Sequence, residues 1–324
     1  MYKQLTSAQR YTISVLLKLN LTQKKISEQI GVNPSTISRE LKRNRTKTGH
    51  YNALRAQEFA SIRKERLPGN RAVRPYVKNI VIELLINEDW SPKQISGYLK
   101  KEKGINISHE CIYSIIKMDK AAGGELYTHC RHKLKYRHHV MRPQRKTKVK
   151  NIPNRISIHD RPVEANGKRF GDWEMDLILG KGQHSAILTL CERSTNMLMM
   201  AKLKNGKKPK DVARTVVDLL IPYKGHSLKT ITTDNGSEFR DHEYITKRLG
   251  AKVYFADSYS SWQKGAIENT NKLIRQYIPK GADFNDFSDD YIKQVQYKIN
   301  RRPREKLNFD SPKNIFYRKI ALAF

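Results

Sequence analysis

Trp173-Glu-Met-Asp-Leu-Ile-Leu179 reads as a β-strand whose apolar run is interrupted by a carboxylate, Asp176. A second strand-like run, Thr230-Ile-Thr-Thr-Asp-Asn-Gly236, ends in Asp234 directly before a glycine turn. Open α/β sheets place their sites at the carboxyl ends of strands. A third acid, Glu268, sits early in a helix, in Gly265-Ala-Ile-Glu-Asn-Thr-Asn271, with 33 residues between it and Asp234. Around these acids the texture from about residue 156 onward is α/β. Further strands are expected at Ser185–Cys191, Met197–Lys202 and Lys229–Thr233, and helices at Lys210–Leu220, Ala266–Tyr277 and Tyr291–Asn300. Strands first, then mixed strand and helix, fit one sheet covered by helices.

Each acid alone has a plain structural explanation. An Asp before Asn-Gly forms turns, and a Glu early in a helix meets a favourable dipole. The three together suit another purpose. Phosphodiester cleavage needs an activated attacking oxygen and a neutralised leaving oxygen, which a pair of Mg²⁺ ions supplies. Hard Mg²⁺ prefers carboxylate oxygen and keeps several waters, so three acids serve it.

Residues 5–44 read as three helices. Ser7 is expected to cap the first, which carries Ile13, Leu16 and Leu17, and Thr22 the second, with Ile26 and Ile30 inward. Gly31 breaks the second helix, and Asn33 or Ser35 opens the third, with Pro34 in its first turn. Helix, glycine turn and helix form the helix-turn-helix pattern. The outward positions of the third helix are Ser35, Thr36, Ser38, Arg39, Lys42 and Arg43, all able to bond bases or phosphates. A weaker copy follows, with a helix at Val73–Asn87, Ser91 and Ser108 as caps, and a turn at Gly104-Ile105-Asn106.

Residues 127–150 hold nine Lys and Arg, four His and no acid. This stretch, including Arg131, Lys133, Lys135 and Arg137, reads as a basic linker that contacts DNA. Cys130 with the nearby histidines lacks a CxxC partner, and the surrounding cations disfavour zinc.

The whole chain of 324 residues carries a formal net charge of +32. Such an excess opposes compaction unless a polyanion relieves it. It is concentrated at the front, with 32 Lys and Arg against 11 Asp and Glu in residues 1–150, and 31 against 20 in the remainder. Three widely spaced cysteines indicate no disulfide framework. The sequence has neither an apolar run of membrane length nor a signal-peptide core, so a cytoplasmic, nucleoid-associated protein without membrane contact is expected.

Several blocks resemble a known family. Gly171-Asp-Trp-Glu-Met-Asp-Leu-Ile178, Thr233-Asp-Asn-Gly-Ser-Glu-Phe239 and the run from Ser261 to Tyr277 look like the three catalytic blocks of bacterial DDE transposases. The nearest match is the insertion-sequence-thirty family, within the retroviral-integrase-like superfamily. Asn300-Arg-Arg-Pro-Arg-Glu-Lys-Leu307 and Ser311-Pro resemble that family's C-terminal block. Ser35-Thr-Ile-Ser-Arg-Glu-Leu41 and Trp90-Ser-Pro-Lys-Gln-Ile95 resemble its two front-end helical modules.

The resemblance implies a multidomain chain: all-α helix-turn-helix modules followed by an α/β RNase-H-like catalytic domain. The expected divisions are 1–50, a helix-turn-helix domain; 51–126, a second helical module; 127–155, the basic linker; and 156–324, the catalytic domain. It further implies Mg²⁺ or Mn²⁺ as cofactor, held by catalytic Asp176, Asp234 and Glu268. Arg275, two helical turns beyond Glu268, is expected to hold DNA phosphate there and to count among the catalytic residues. Lys264 is expected to touch DNA, with Asn269 and Asn271 as secondary contacts. Glu174 shares Asp176's face in a regular strand and is expected to support the site rather than ligate metal. Met175 and Ile267 depart from the smaller or more polar residues expected there, and neither change removes a ligand.

The implied activity is that of a transposase that binds the terminal inverted repeats of its element, cuts at the ends and joins a 3′-hydroxyl to target DNA. Its partners would be double-stranded DNA, as ends and as target, and further copies of itself in a homodimer or larger assembly. Two alternatives are a DNA-binding regulator whose α/β domain only dimerises, and a nuclease that cuts without joining.

Overall fold

The structure, a computed structural model, describes residues 4–46, 48–69, 73–135, 152–225, 227–258 and 260–322. The chain divides into two compact units, Met1–Tyr76 and Val77–Phe324.

The first unit is helical: α1 (Ser7–Lys18), α2 (Gln23–Ile30), α3 (Pro34–Asn44) and α4 (Ala53–Gly69). Thr6, not Ser7, caps α1. Its side chain accepts from the Gln9 amide while the Gln9 side chain accepts from the Thr6 amide, a reciprocal capping box. Thr22 caps α2 as expected, and Gly31 ends it in the left-handed conformation (φ +70°), which glycine adopts without a Cβ penalty. Asn33 caps α3, with Pro34 at its first turn. Leu5, Ile13, Ile26, Ile37 and Leu41 form the small core. Beside them a buried ion pair joins Arg10 to Glu40 at 2.8 Å, and Glu40 also accepts from the Tyr51 hydroxyl. Such a pair gives little net stability but fixes which faces meet.

The second unit begins with α5 (Pro75–Glu88), α6 (Pro92–Lys103) and α7 (His109–Ala121). Ser91 and Ser108 cap α6 and α7, and Gly104 closes α6 at φ +63°. Then follow β1 (Ile156–Ser157), β2 (Asp172–Leu179), β3 (Ala186–Glu192), β4 (Leu198–Leu203), α8 (Pro209–Leu220), β5 (Thr230–Thr233), α9 (His242–Leu249), β6 (Lys252–Phe255), α10 (Gly265–Ile274), α11 (Asp289–Arg301) and α12 (Pro312–Ala321). The six strands form one sheet in the order β1-β6-β5-β2-β3-β4. β2, β3 and β4 run antiparallel, whereas β5 joins β2, β6 joins β5 and β1 joins β6 in parallel.

Strand alternation sends β2 side chains to opposite faces. Trp173 and Met175 enter a core with Val212, Val216 and Leu220 of α8, Ile245 of α9 and Phe316 of α12. Ile178 enters the other core, with Leu273 and Ile274 of α10 and Ile292, Val295 and Ile299 of α11. Glu174 and Asp176 share the parity of Ile178 and therefore lie on the α10 side. The sheet is thus a middle layer between two sets of helices.

In the second unit, one carboxylate after α5 helps tie α5–α7 to this α/β body. Asp89, at φ +53°, accepts from His129 Nδ1 at 3.0 Å, the Tyr277 hydroxyl at 3.2 Å and Lys298 Nζ at 3.2 Å. Gly97 of α6 supplies a close approach, since a Cβ there would fall 2.1 Å from the Phe309 ring.

Candidate active site

Parallel pairing of β2 with β5 sets Asp172 opposite Thr230 and Glu174 opposite Thr232. The same register carried forward brings Asp176 level with Asp234, the residue after β5 ends. One lysine joins them. Lys264 Nζ lies 3.1 Å from Asp234 Oδ2 and 3.5 Å from Asp176 Oδ1. Lys264, expected as a DNA contact, is instead only 5% exposed. Its ammonium is taken up by the two carboxylates.

Each carboxylate has a second anchor. Asn271 of α10 donates from Nδ2 to Asp176 Oδ2 at 2.9 Å, and the Gly236 amide donates to Asp234 Oδ1 at 3.0 Å. Burial pushes the Asp176 carboxyl above the usual range; Lys264 pulls it down and Asp234 pushes it up again. Burial alone would lower Lys264, but the two carboxylates outweigh it and hold the ammonium charged above its ordinary value.

Glu268, half-buried in the first turn of α10, is on the helix that supplies Asn271. The structure brings Asp176 and Asp234 together on one cation. Among the described residues, no three Asp, Glu, His or Cys side chains gather closely enough to enclose a single ion. Glu268 is therefore not gathered with the pair into such a group. Arg275 is engaged elsewhere: its guanidinium donates to the carbonyls of Leu179 (3.2 Å) and Pro279 (3.1 Å). It ties the end of α10 to the end of β2.

Glu174 has a larger part than the sequence indicates. It is 1% exposed, paired with Arg193 Nε at 2.8 Å, and accepts the Ile267 amide at 2.8 Å. That last bond pins the first turn of α10 to β2, one residue from Glu268. Nothing in the sequence around Arg193 signals this partnership, because it depends on the return of β3 beside β2. Trp262, just before Lys264, is 75% exposed, whereas Trp90 and Trp173 are buried.

The other expected DNA contacts divide by position. On α3, Ser35, Ser38, Arg39, Lys42 and Arg43 are exposed and Thr36 partly so, all opposite Ile37 and Leu41. Arg131, Lys133 and Lys135 are exposed, and Arg137 lies outside the described residues.

The donor set suits a hard divalent cation. It is all oxygen, two carboxylates already converge on a protein ammonium as stand-in cation, and the buried Oδ1 of Asn271 beside them lacks a hydrogen-bond partner.

Two family models match parts of the chain. The helix-turn-helix domain family matches residues 1–44, and the integrase core domain family matches residues 164–261. The chain is 41% identical over 318 residues to the transposase for insertion sequence element IS4351 of Bacteroides fragilis, covering 98% of this chain and 96% of that one. It is 32% identical over 342 residues to the transposase for IS1086 of Cupriavidus metallidurans, at 99% and 96% coverage. It is 34% identical over 329 residues to the transposase InsI for IS30A of Escherichia coli, at 98% and 84%.

Proposed function

The chain belongs to the IS30 family of insertion-sequence transposases, and on that premise we propose that it binds the terminal inverted repeats of its own element, cuts there and joins the freed 3′-hydroxyl to target DNA. The integrase core makes it a DDE-type enzyme with an RNase-H-like fold and general dependence on a divalent metal. The observation that carries the site assignment is the convergence of Asp176 and Asp234 on Lys264 at the end of the β2–β5 pair.

Asp176, Asp234 and Glu268 would hold the metal, with Mg²⁺ or Mn²⁺ the reading their hard oxygen donors favour. When bound, the metal activates the attacking oxygen and stabilises the leaving one. The chain's own residues do the rest. Lys264 keeps two like-charged carboxylates side by side, which would otherwise repel. Asn271 fixes the orientation of Asp176, and Glu174 with Arg193 fixes the start of the helix that presents Glu268. The exposed face of α3 reads the element ends, and the basic stretch 127–155 adds phosphate affinity. The functional divisions at residues 50, 126 and 155 are part of the same proposal. Because two ends must be handled together, the working form is a homodimer or larger assembly on DNA.

The test is strand transfer with purified protein, labelled element-end DNA and target plasmid, with Mg²⁺ or EDTA, comparing the parent with Asp234→Asn. Joined product that requires metal and disappears in the variant, while end binding persists, supports both activity and site. Binding without cutting or joining across salt and metal conditions would overturn them.

A further inference from the structure

The block Asn300-Arg-Arg-Pro-Arg-Glu-Lys-Leu307 has no part in the chemistry above, yet it builds a cavity of about 410 Å³ in the second unit. The cavity lies between α6, α10 and the segment after α11. Arg302 and Arg304 line it and are 2% and 9% exposed, and Arg131 stands at its exposed rim. Buried charges are normally paired. Here, among the described residues, none of the three arginines has a carboxylate within 4.0 Å. The Nε atoms of both Arg302 and Arg304 are buried without a hydrogen-bond partner. Arg302 donates only to neutral groups, Gln276 Oε1 at 3.1 Å and the Tyr277 hydroxyl, and Arg304 only to the Ile299 carbonyl at 3.2 Å.

The acid that faces the cavity, Asp89, is already engaged by His129, Tyr277 and Lys298. The stretch 136–151 that follows the rim has no Asp or Glu to offer. Burial, then Arg302 and Arg131, push Arg304 down to about 10, so it remains charged at neutral pH while the three guanidiniums repel one another. Polar Gln94, Tyr113 and Asn269 complete the walls. Asn269 adjoins Glu268, so the cavity backs onto the helix that presents the third acid.

We propose that Arg131, Arg302 and Arg304 form a phosphate-binding site, filled by a backbone phosphate of the DNA that the enzyme processes. Guanidinium forks match tetrahedral phosphate oxygens in geometry and charge. The occupant has to come from outside the chain, and the bound polyanion lies within reach of the rim. Fixing one phosphate here registers the duplex against α10. The DNA part of this inference rests on the transposase reading; the phosphate part does not.

The experiment uses the full chain, with Arg304→Met and the rim variant Arg131→Gln. In the first arm, thermal unfolding without DNA compares sodium phosphate with sodium chloride at equal ionic strength. Phosphate salts stabilise proteins generally, but that effect is common to parent and variants. The parent is expected to gain extra melting temperature in phosphate that both variants lack. The second arm measures duplex affinity by fluorescence anisotropy against salt. Losing one phosphate contact lowers the log–log slope by about 0.9, and both variants are expected to show that loss. Extra stabilisation with unchanged slopes would support the site but assign it to free phosphate. Equal melting shifts and equal slopes in all three proteins overturn the proposal, and Arg131→Gln decides it should Arg304→Met fail to fold. A parent that binds no duplex would defeat the DNA reading, leaving the phosphate arm to judge the site alone.

Discussion

Acids on the paired strands β2 and β3 do different jobs. Asp172 accepts from Arg169 and the Thr230 hydroxyl. Glu192 is enclosed by the amides of Gly171, Ser194 and Thr195. Asp176 alone among these shares a cation with a second acid. Sequence marked Asp176 and Asp234 through their place in strand and turn; the partners that set Asp176 apart from Asp172 arrive from distant segments. Removing Glu174 should show how far positioning matters. Glu174→Ala leaves Arg193 as an unpaired charge and frees the Ile267 amide, so a stability loss of about 3 kcal/mol is expected, with strand transfer falling alongside. Denaturant unfolding measures it, and an unchanged midpoint would remove Glu174 from the account. Lys264→Met gives a second test. If ammonium and metal draw on the same carboxylate oxygens, the variant should melt lower than the parent in EDTA but gain more from Mg²⁺. Equal Mg²⁺ gains would mean that the two cations do not share those oxygens.

At the scale of elements, the strands that hold the site were legible because their apolar runs are long and bounded by turns. Expected and observed limits of β2, β3, β4 and β5 agree within one residue. Several elements gave no such signal. β1 has two residues, α9 is short and polar, and β6 and α12 sit in mixed sequence whose burial is decided by the sheet they meet. α4 likewise owes its place to α1 and α3 rather than to its own periodicity. The docking of α6 was invisible too, since the importance of Gly97 appears only when Phe309 lies over it. Gly97→Ala should cost about 1–3 kcal/mol through overpacking, and much of that loss should return in the double variant with Phe309→Ala. Thermal melts of the four proteins test the coupling. Strictly additive effects would dissociate the two residues.

At the scale of the molecule, charge governs association. A net +32 predicts DNA binding that weakens steeply with salt, on the order of 10³-fold or more between 50 and 200 mM if six or more phosphates are contacted. Anisotropy titrations across that range check it, and a slope near −1 would show that most of the basic surface is idle. The same self-repulsion should keep free chains apart and let paired ends bring them together. Sedimentation is expected to show monomers without DNA and two or more chains with paired-end DNA; monomers in both would refute the assembly.

The exposed indole of Trp262 makes the enzyme its own optical sensor. The other two tryptophans, Trp90 and Trp173, are 6% and 0% exposed, and the first unit contains none. Emission at the red edge should therefore come chiefly from Trp262, two residues from the lysine that joins the acids. Duplex seated near those acids should shield this indole from acrylamide and alter its emission. Duplex held only by α3 should leave the spectrum unchanged, so a single unlabelled titration separates recognition of an end from its delivery to the acids.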